Sequence, residues 1–209
     1  MSHSQFLERL LQTAQDSSWY EWLAVLSGIA SVWFSKLESI WVYPIGLINT
    51  IIYTWISFEY HLPGEATVNF YYTIMSLYGW YNWLRKTDQQ QPLVKITFSS
   101  IKEWQQELLF FASCYIILFI ALTKLQSLFF EGAIPWADAL ASAAAFTGMW
   151  LMTKKKVESW YWWILTNIAS IPLYFVKGLT LTSIYYFILL IIAIAGLSSW
   201  QQKAKMAHA

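Results

Sequence analysis

The sequence predicts an all-α integral membrane protein with seven transmembrane helices in a three-plus-one-plus-three plan of parallel repeats, preceded by an amphipathic surface helix. Three observations predict it. Of 209 residues, 57% are hydrophobic and only 12% charged, far from the balance of a soluble domain. Seven apolar segments, at 19–35, 40–58, 67–84, 104–125, 134–152, 158–176 and 180–200, approach the roughly 20 residues that cross a bilayer, and flanking Trp, Tyr and Lys extend each to the interface. Three motifs also recur in order. Lys36-Leu-Glu38-Ser39 and Lys156-Val-Glu158-Ser159 stand 120 residues apart, Asn49 and Asn167 stand 118 apart, and Gly79-x-x-x-Trp83 returns 117 residues on as Gly196-x-x-x-Trp200.

Taken in order, residues 4–16 place Phe6, Leu7, Leu10, Leu11 and Ala14 on one helical face, which predicts a surface helix over 1–18. No cleavable leader is expected, because this stretch lacks a continuous apolar core. The first triple-helix repeat is 19–86. Its spans are separated at Lys36 and at HLPGE (61–65), and it closes at RKTDQQQP (85–92). A single linker span, 100–130, restores the orientation needed for a second unit to run parallel to the first. The second repeat, 134–200, is broken at Lys154-Lys155-Lys156 and at Lys177-Gly178, and 201–209 forms a cytoplasmic tail. Lys36, Arg85, Lys86, Lys95, Lys102, the three lysines at 154–156, Lys203 and Lys205 fall on one side, against Arg9 and Lys177 on the other. The positive-inside rule therefore puts the amino terminus outside and the carboxyl terminus in the cytoplasm.

Composition also excludes. A net charge of +1 with no basic stripe gives no footprint for nucleic acid. His3, His61 and His208 lie in loops or termini and Cys114 is the only cysteine, so no metal centre, haem pair or cofactor is expected. Phosphate-binding glycine loops and nucleophile elbows are missing, which argues against an enzyme. Glu21, Glu59, Glu103, Glu107, Lys124, Asp138 and Glu158 all read as near span ends, which argues against a proton motor.

The candidate site lies on stripes at three-and-four spacing. In 158–174 Trp160, Trp163, Asn167, Ser170 and Tyr174 share a helical face, and Trp41, Ile45, Asn49 and Tyr53 form a partial echo. Asn69, Tyr72, Ser76, Gly79 and Trp83 form a third stripe, its Ser76–Gly79 part suited to close helix packing. An amide in hydrocarbon is costly unless satisfied, so Asn49 and Asn167 should face protein, a cavity or a ligand. The alternative is that each amide simply ties helices together. Trp160, Tyr78, Trp80 and Trp83 read as interfacial anchors. Pro44 and Pro172 are candidate kinks, and Glu59 either draws in a cation or is a solvated helix end.

The runs YPIGLINTIIYTW (43–55), NFYYTIMSLYGWYNW (69–83), ESWYWWILTNIASIPLYFVKGL (158–179) and Gly196 to Trp200 resemble the PnuC family of bacterial nicotinamide riboside (vitamin B3) transporters. The resemblance implies a SWEET-like seven-helix fold, a homotrimer in the bacterial inner membrane, and uptake by facilitated diffusion with phosphorylation trapping the product. Sister families that carry thiamine or riboflavin look alike and leave those substrates open, as is a non-transporting receptor or scaffold of the same plan. For a flat, cationic riboside, Trp163 and Tyr174 are the expected stacking residues and Asn167 and Asn49 the expected polar ones, with Tyr53, Glu59, Asn69 and Tyr72 as further contacts.

Overall fold

The computed structural model describes residues 18–59, 63–129 and 134–206, without the side chains of 63–65 and 125–129. The predicted surface helix over 1–18 lies almost wholly outside the described residues. Those residues form seven α-helices: α1 (Trp19–Lys36), α2 (Val42–Glu59), α3 (Pro63–Leu84), α4 (Ile101–Phe129), α5 (Pro135–Thr153), α6 (Ser159–Val176) and α7 (Thr180–Met206). Residues 201–206, expected in the tail, continue α7.

The helix starts are chemically fixed. Ser18 caps α1 in a capping box, its backbone N–H donating to Glu21 Oε2 at 2.7 Å while Ser18 Oγ accepts from the Glu21 N–H. Ser100 and Glu103 make the same reciprocal pair ahead of α4. Pro135 opens α5, where Asp138 accepts from the Ile134 N–H at 2.6 Å. Pro44 falls in the first turn of α2, where a missing N–H costs nothing, whereas Pro172 is inside α6. The left-handed residues Glu38 and Lys155 end the turns after α1 and α5.

Helix α2 packs on α1 and α3, and α6 packs on α5 and α7. The two groups meet through α1 against α7 and α3 against α5, while α4 lies outside against α5. Small residues on α5, including Ala139, Ala143, Ala144 and Gly148, are buried and let its neighbours approach closely. Ile101–Lys124 of α4 and Thr180–Met206 are long and apolar enough to cross a membrane.

One spacing runs through the helix bounds. Lys36 and Thr153, Val42 and Ser159, Glu59 and Val176, and Pro63 and Thr180 are each separated by 117 residues, the separation that also joins Glu38 to Lys155. The contacts at one end repeat it. Trp83 Nε1 donates to the Met152 carbonyl at 3.2 Å and Trp200 Nε1 to the Ser35 carbonyl at 3.1 Å, while Ser35 Oγ donates to Met152 Sδ at 3.0 Å. A Cβ on Gly79 would collide with Tyr43, and one on Gly196 would collide with Trp160.

Around these contacts Trp160 meets Trp200 edge-on at 5.6 Å, Trp83 lies 6.1 Å from Trp200, and Tyr43 meets Trp83 at 5.1 Å. Trp160 is 0% exposed and Trp83 is buried, so both are core residues where the sequence suggested interfacial anchors. The reason is tertiary: Gly196 of α7 leaves room for the Trp160 ring, while Gly79 admits Tyr43, which packs against Trp83.

Charge closes the same end. Glu38 pairs with Lys155 and with Lys203, each at 2.9 Å, and Lys155 lies 4.5 Å over the Trp83 ring. Burial pushes the Glu38 carboxyl upward, but the hydrogen bonds from Lys155 and Lys203 outweigh it and hold the group below the usual carboxylate range. The loop before α4 is tied to the same turn, with Thr97 accepting from the Val157 N–H at 3.1 Å and donating to the Lys155 carbonyl at 3.3 Å. Beneath it Glu107, expected near a span end, is 0% exposed and accepts from Ser99 Oγ at 2.5 Å and Trp162 Nε1 at 3.4 Å.

Two outcomes follow for stability. A group whose pKa falls on folding stabilises above its unfolded pKa and loses that effect as pH falls through its folded one. Glu38→Gln therefore costs about 1–3 kcal/mol near neutral pH, and detergent melting curves should show the gap to wild type closing below about pH 4. Gly196→Ala costs about 1–3 kcal/mol in the same assay, because the walled-in Trp160 ring cannot retreat.

Candidate functional site

Three neighbouring tryptophans of α6 point three ways. Trp160 enters the core described above, Trp162 turns to α4, where it meets Phe111 at 4.8 Å, and Trp163 faces α3. A helix advances about 100° per residue, so adjacent rings must diverge. Gly148 of α5 makes room, since a Cβ there would stand 3.2 Å from the Trp163 ring.

Trp163 opens onto a cluster of rings. Tyr72 of α3 lies 6.2 Å from it and 6.2 Å from Phe146 of α5. Tyr71 packs on Phe146 at 4.4 Å and its hydroxyl donates to the Phe146 carbonyl at 3.0 Å. Tyr174 stacks on Tyr186 of α7 at 5.2 Å with planes 9° apart, and Tyr185 meets Tyr186 edge-on at 5.5 Å. Tyr185 and Tyr186 of α7 lie in the neighbourhood of Tyr72, and Tyr53 of α2 in that of Tyr185.

Polar groups are few. Asn167, one turn beyond Trp163, is 3% exposed, and no described group bonds its amide. Asn49 Nδ2 donates to the Ala24 carbonyl of α1 at 2.7 Å, beside the Tyr185 hydroxyl. Thr50 and Thr73 bond one another at 2.9 Å between α2 and α3. The cation beside Tyr174, Lys177, is held by both oxygens of Asp138 at 2.7 and 2.9 Å.

Of the residues singled out in the sequence, Tyr72, Trp163, Tyr174, Tyr53 and Asn49 thus border the ring cluster and Asn167 adjoins it on α6. Asn69 lies a turn from Tyr72, where its carbonyl accepts from Thr73, and Glu59 is exposed at the end of α2. The spacing of 117 pairs Asn167 with Thr50, one residue from Asn49, so the two asparagines do not occupy matching helical positions. Sequence reasoning missed Tyr185, Tyr186 and Phe146. The doubled tyrosine in an apolar run was a usable signal, but nothing sets Phe146 apart in its alanine-rich helix.

The described residues form an all-helical bundle in which two helices are long and apolar enough to cross a membrane and a cluster of rings lies between helices, an arrangement that suits a membrane carrier. The chain belongs to the PnuC family, for the family described as nicotinamide mononucleotide transporter matches residues 18–202. It is 26% identical over 213 aligned positions to the nicotinamide riboside transporter PnuC of Escherichia coli, covering 91% of this chain and 88% of that one. It is 23% identical to the riboflavin/roseoflavin transporter RibM of Streptomyces davaonensis, covering 90% and 86%. The crystal structure of the vitamin B3 transporter PnuC has the same fold, with a TM-score of 0.71 at 22% identity over 96% of this chain and 88% of that one. The protein is therefore a membrane transporter.

Among the described residues the fully buried side-chain atoms left without a partner are Tyr43 Oη, Glu158 Oε2, Ser159 Oγ and Trp160 Nε1, so the Asn167 amide, which is not one of them, is still reached by solvent in the empty protein. Asn167→Leu should accordingly leave the melting temperature of ligand-free protein within about 2 °C of wild type, read by differential scanning fluorimetry.

Proposed function

We propose that the protein carries nicotinamide riboside across the bacterial inner membrane by facilitated diffusion, with phosphorylation inside the cell trapping the product. The observation that carries this reading is Asn167, a buried amide without a protein partner, next to Trp163 and the Tyr72 face. The pyridinium ring stacks on Trp163 and Tyr72, with Tyr174 beyond, each cation–π contact contributing on the order of 0.5–2 kcal/mol. The amide of Asn167 matches the carboxamide, donor to acceptor and acceptor to donor. Asn49 and Tyr53 take the ribose, and Asn69 and Glu59 line the outer approach.

The riboside suits this site better than the phosphorylated mononucleotide. Lys177, the cation nearest the rings among the described residues, is already neutralised by Asp138, so a phosphate would find no free counter-charge. Riboflavin is the second reading, favoured by the RibM relative and by the flatness of its ring.

In this proposal α1–α3 (19–86) and α5–α7 (134–200) are parallel repeats and α4 (100–130) is the linker of a SWEET-like three-plus-one-plus-three plan. The uniform spacing of 117 supports it. So do the exchanged indole bonds, since residues equivalent by a two-fold operation that also touch must lie near its axis. The amino terminus is outside, the carboxyl terminus is cytoplasmic, and assembly as a homotrimer rests on the family resemblance. The Glu38 clasp then lies at the cytoplasmic end, and rocking of the repeats requires its ion pairs to part. Pro172 frees a backbone carbonyl in α6 and serves as a hinge.

In proteoliposomes, uptake of nicotinamide riboside should run down its gradient and be unchanged by a protonophore; dependence on a proton or sodium gradient contradicts the mechanism. Asn167→Leu should weaken binding about 10- to 100-fold, measured by tryptophan quenching, and unchanged affinity contradicts the site.

A further inference from the structure

Asn49 differs from Asn167 in that half of its amide is already used. Its Nδ2 is 2.7 Å from the Ala24 carbonyl, which also accepts from Ser27 Oγ at 2.9 Å. A carbonyl oxygen can only accept, so the amide is fixed with its NH2 side toward α1 and its Oδ1 turned the other way. Among the described residues nothing bonds Oδ1, nor the Tyr185 hydroxyl that approaches the same amide over Gly28.

Gly28 is what permits this meeting. A Cβ built there would overlap both the Tyr185 hydroxyl and Asn49 Nδ2, so any larger residue displaces the amide, the tyrosine or both. The arrangement is not a by-product of the repeat. At a spacing of 117, Gly28 corresponds to Ala145 and Asn49 to Thr166, whose hydroxyl is spent on its own helix at the Trp162 carbonyl, 2.9 Å away.

We propose that Asn49 is a specificity-determining residue that presents a fixed hydrogen-bond acceptor to a ribose hydroxyl, with Gly28 as the positioning residue that holds its amide in that orientation. This rests on the riboside reading above. It assigns the two asparagines different work: Asn167, free at both ends, reads the carboxamide, and Asn49, an acceptor only, requires a ligand that donates. A sugar without the matching hydroxyl leaves Oδ1 desolvated and unpaired.

The test is a thermodynamic cycle by tryptophan quenching, with nicotinamide riboside, its 2′-, 3′- and 5′-deoxy analogues and nicotinic acid riboside titrated against wild type, Asn49→Leu and Gly28→Ala. We expect one deoxy analogue to bind wild type about 10-fold or more weaker than the riboside and that discrimination to vanish in Asn49→Leu. Gly28→Ala should shrink the same ratio by displacing the Asn49 amide without removing it, which keeps the test open if Asn49→Leu is unstable. Penalties that multiply for all three deoxy analogues, or no deoxy penalty in wild type, overturn the assignment. A cycle that couples Asn49 to nicotinic acid riboside instead moves Asn49 to the carboxamide and overturns it too. Absence of saturable quenching of wild type by nicotinamide riboside contradicts the riboside reading itself.

Discussion

Two indole N–H groups reach across the molecule to the last carbonyls of two other helices. Trp83 of α3 satisfies Met152 of α5, and Trp200 of α7 satisfies Ser35 of α1. Each of these carbonyls already accepts from its own turn, Met152 from the Lys155 N–H at 3.1 Å and Ser35 from the Glu38 N–H at 2.9 Å, and the indole fills the second lone pair. Supplying that second donor from the other half of the chain makes the two halves interdependent at one end. Everything nearby conforms to it: Gly79 and Gly196 yield space to Tyr43 and Trp160, and Glu38 receives lysines from α7 and from the turn after α5. Far from that end the halves share aromatic faces, with few polar links, which is where a ligand can come between them.

Much of the fold was legible because membrane helices announce themselves by length and by what interrupts them. The seven predicted segments match the seven described helices to within a few residues, apart from the starts of α3 and α4 and the longer ends of α4 and α7. The repeated glycine and tryptophan of α3 and α7 gave the spacing of 117 directly. The other two motif pairs misled by one to three residues. The K-x-E-S letters align Glu38 with Glu158, whereas the backbone aligns Glu38 with Lys155, the left-handed residue that ends the equivalent turn. Letters record side chains, while the turn is set by which carbonyls are capped.

The site was legible where periodicity selects a face, as for Trp163, Asn167 and Tyr174, and obscure where tertiary contact decides. Trp83 and Trp160 stand beside charged residues in the sequence, so an interfacial role was the natural expectation. The burial of Trp160 depends on Gly196 of another helix, and that of Trp83 on Tyr43, Trp200 and the Met152 carbonyl, which no local pattern reveals. Glu107 depends likewise on the loop before α4 folding back to bring Ser99 within 2.5 Å. The orientation of Asn49 comes from a carbonyl 25 positions away, a distance at which periodicity is silent.

The most direct measurement is an experimental structure of the protein with nicotinamide riboside bound. The account predicts the pyridinium ring between Trp163 and Tyr72, its carboxamide in two-point contact with Asn167, and the ribose toward Asn49 and Tyr185. Ligand density on the outer face of α4, or in the pocket with the ribose at Asn167 and the ring away from Trp163, would contradict it.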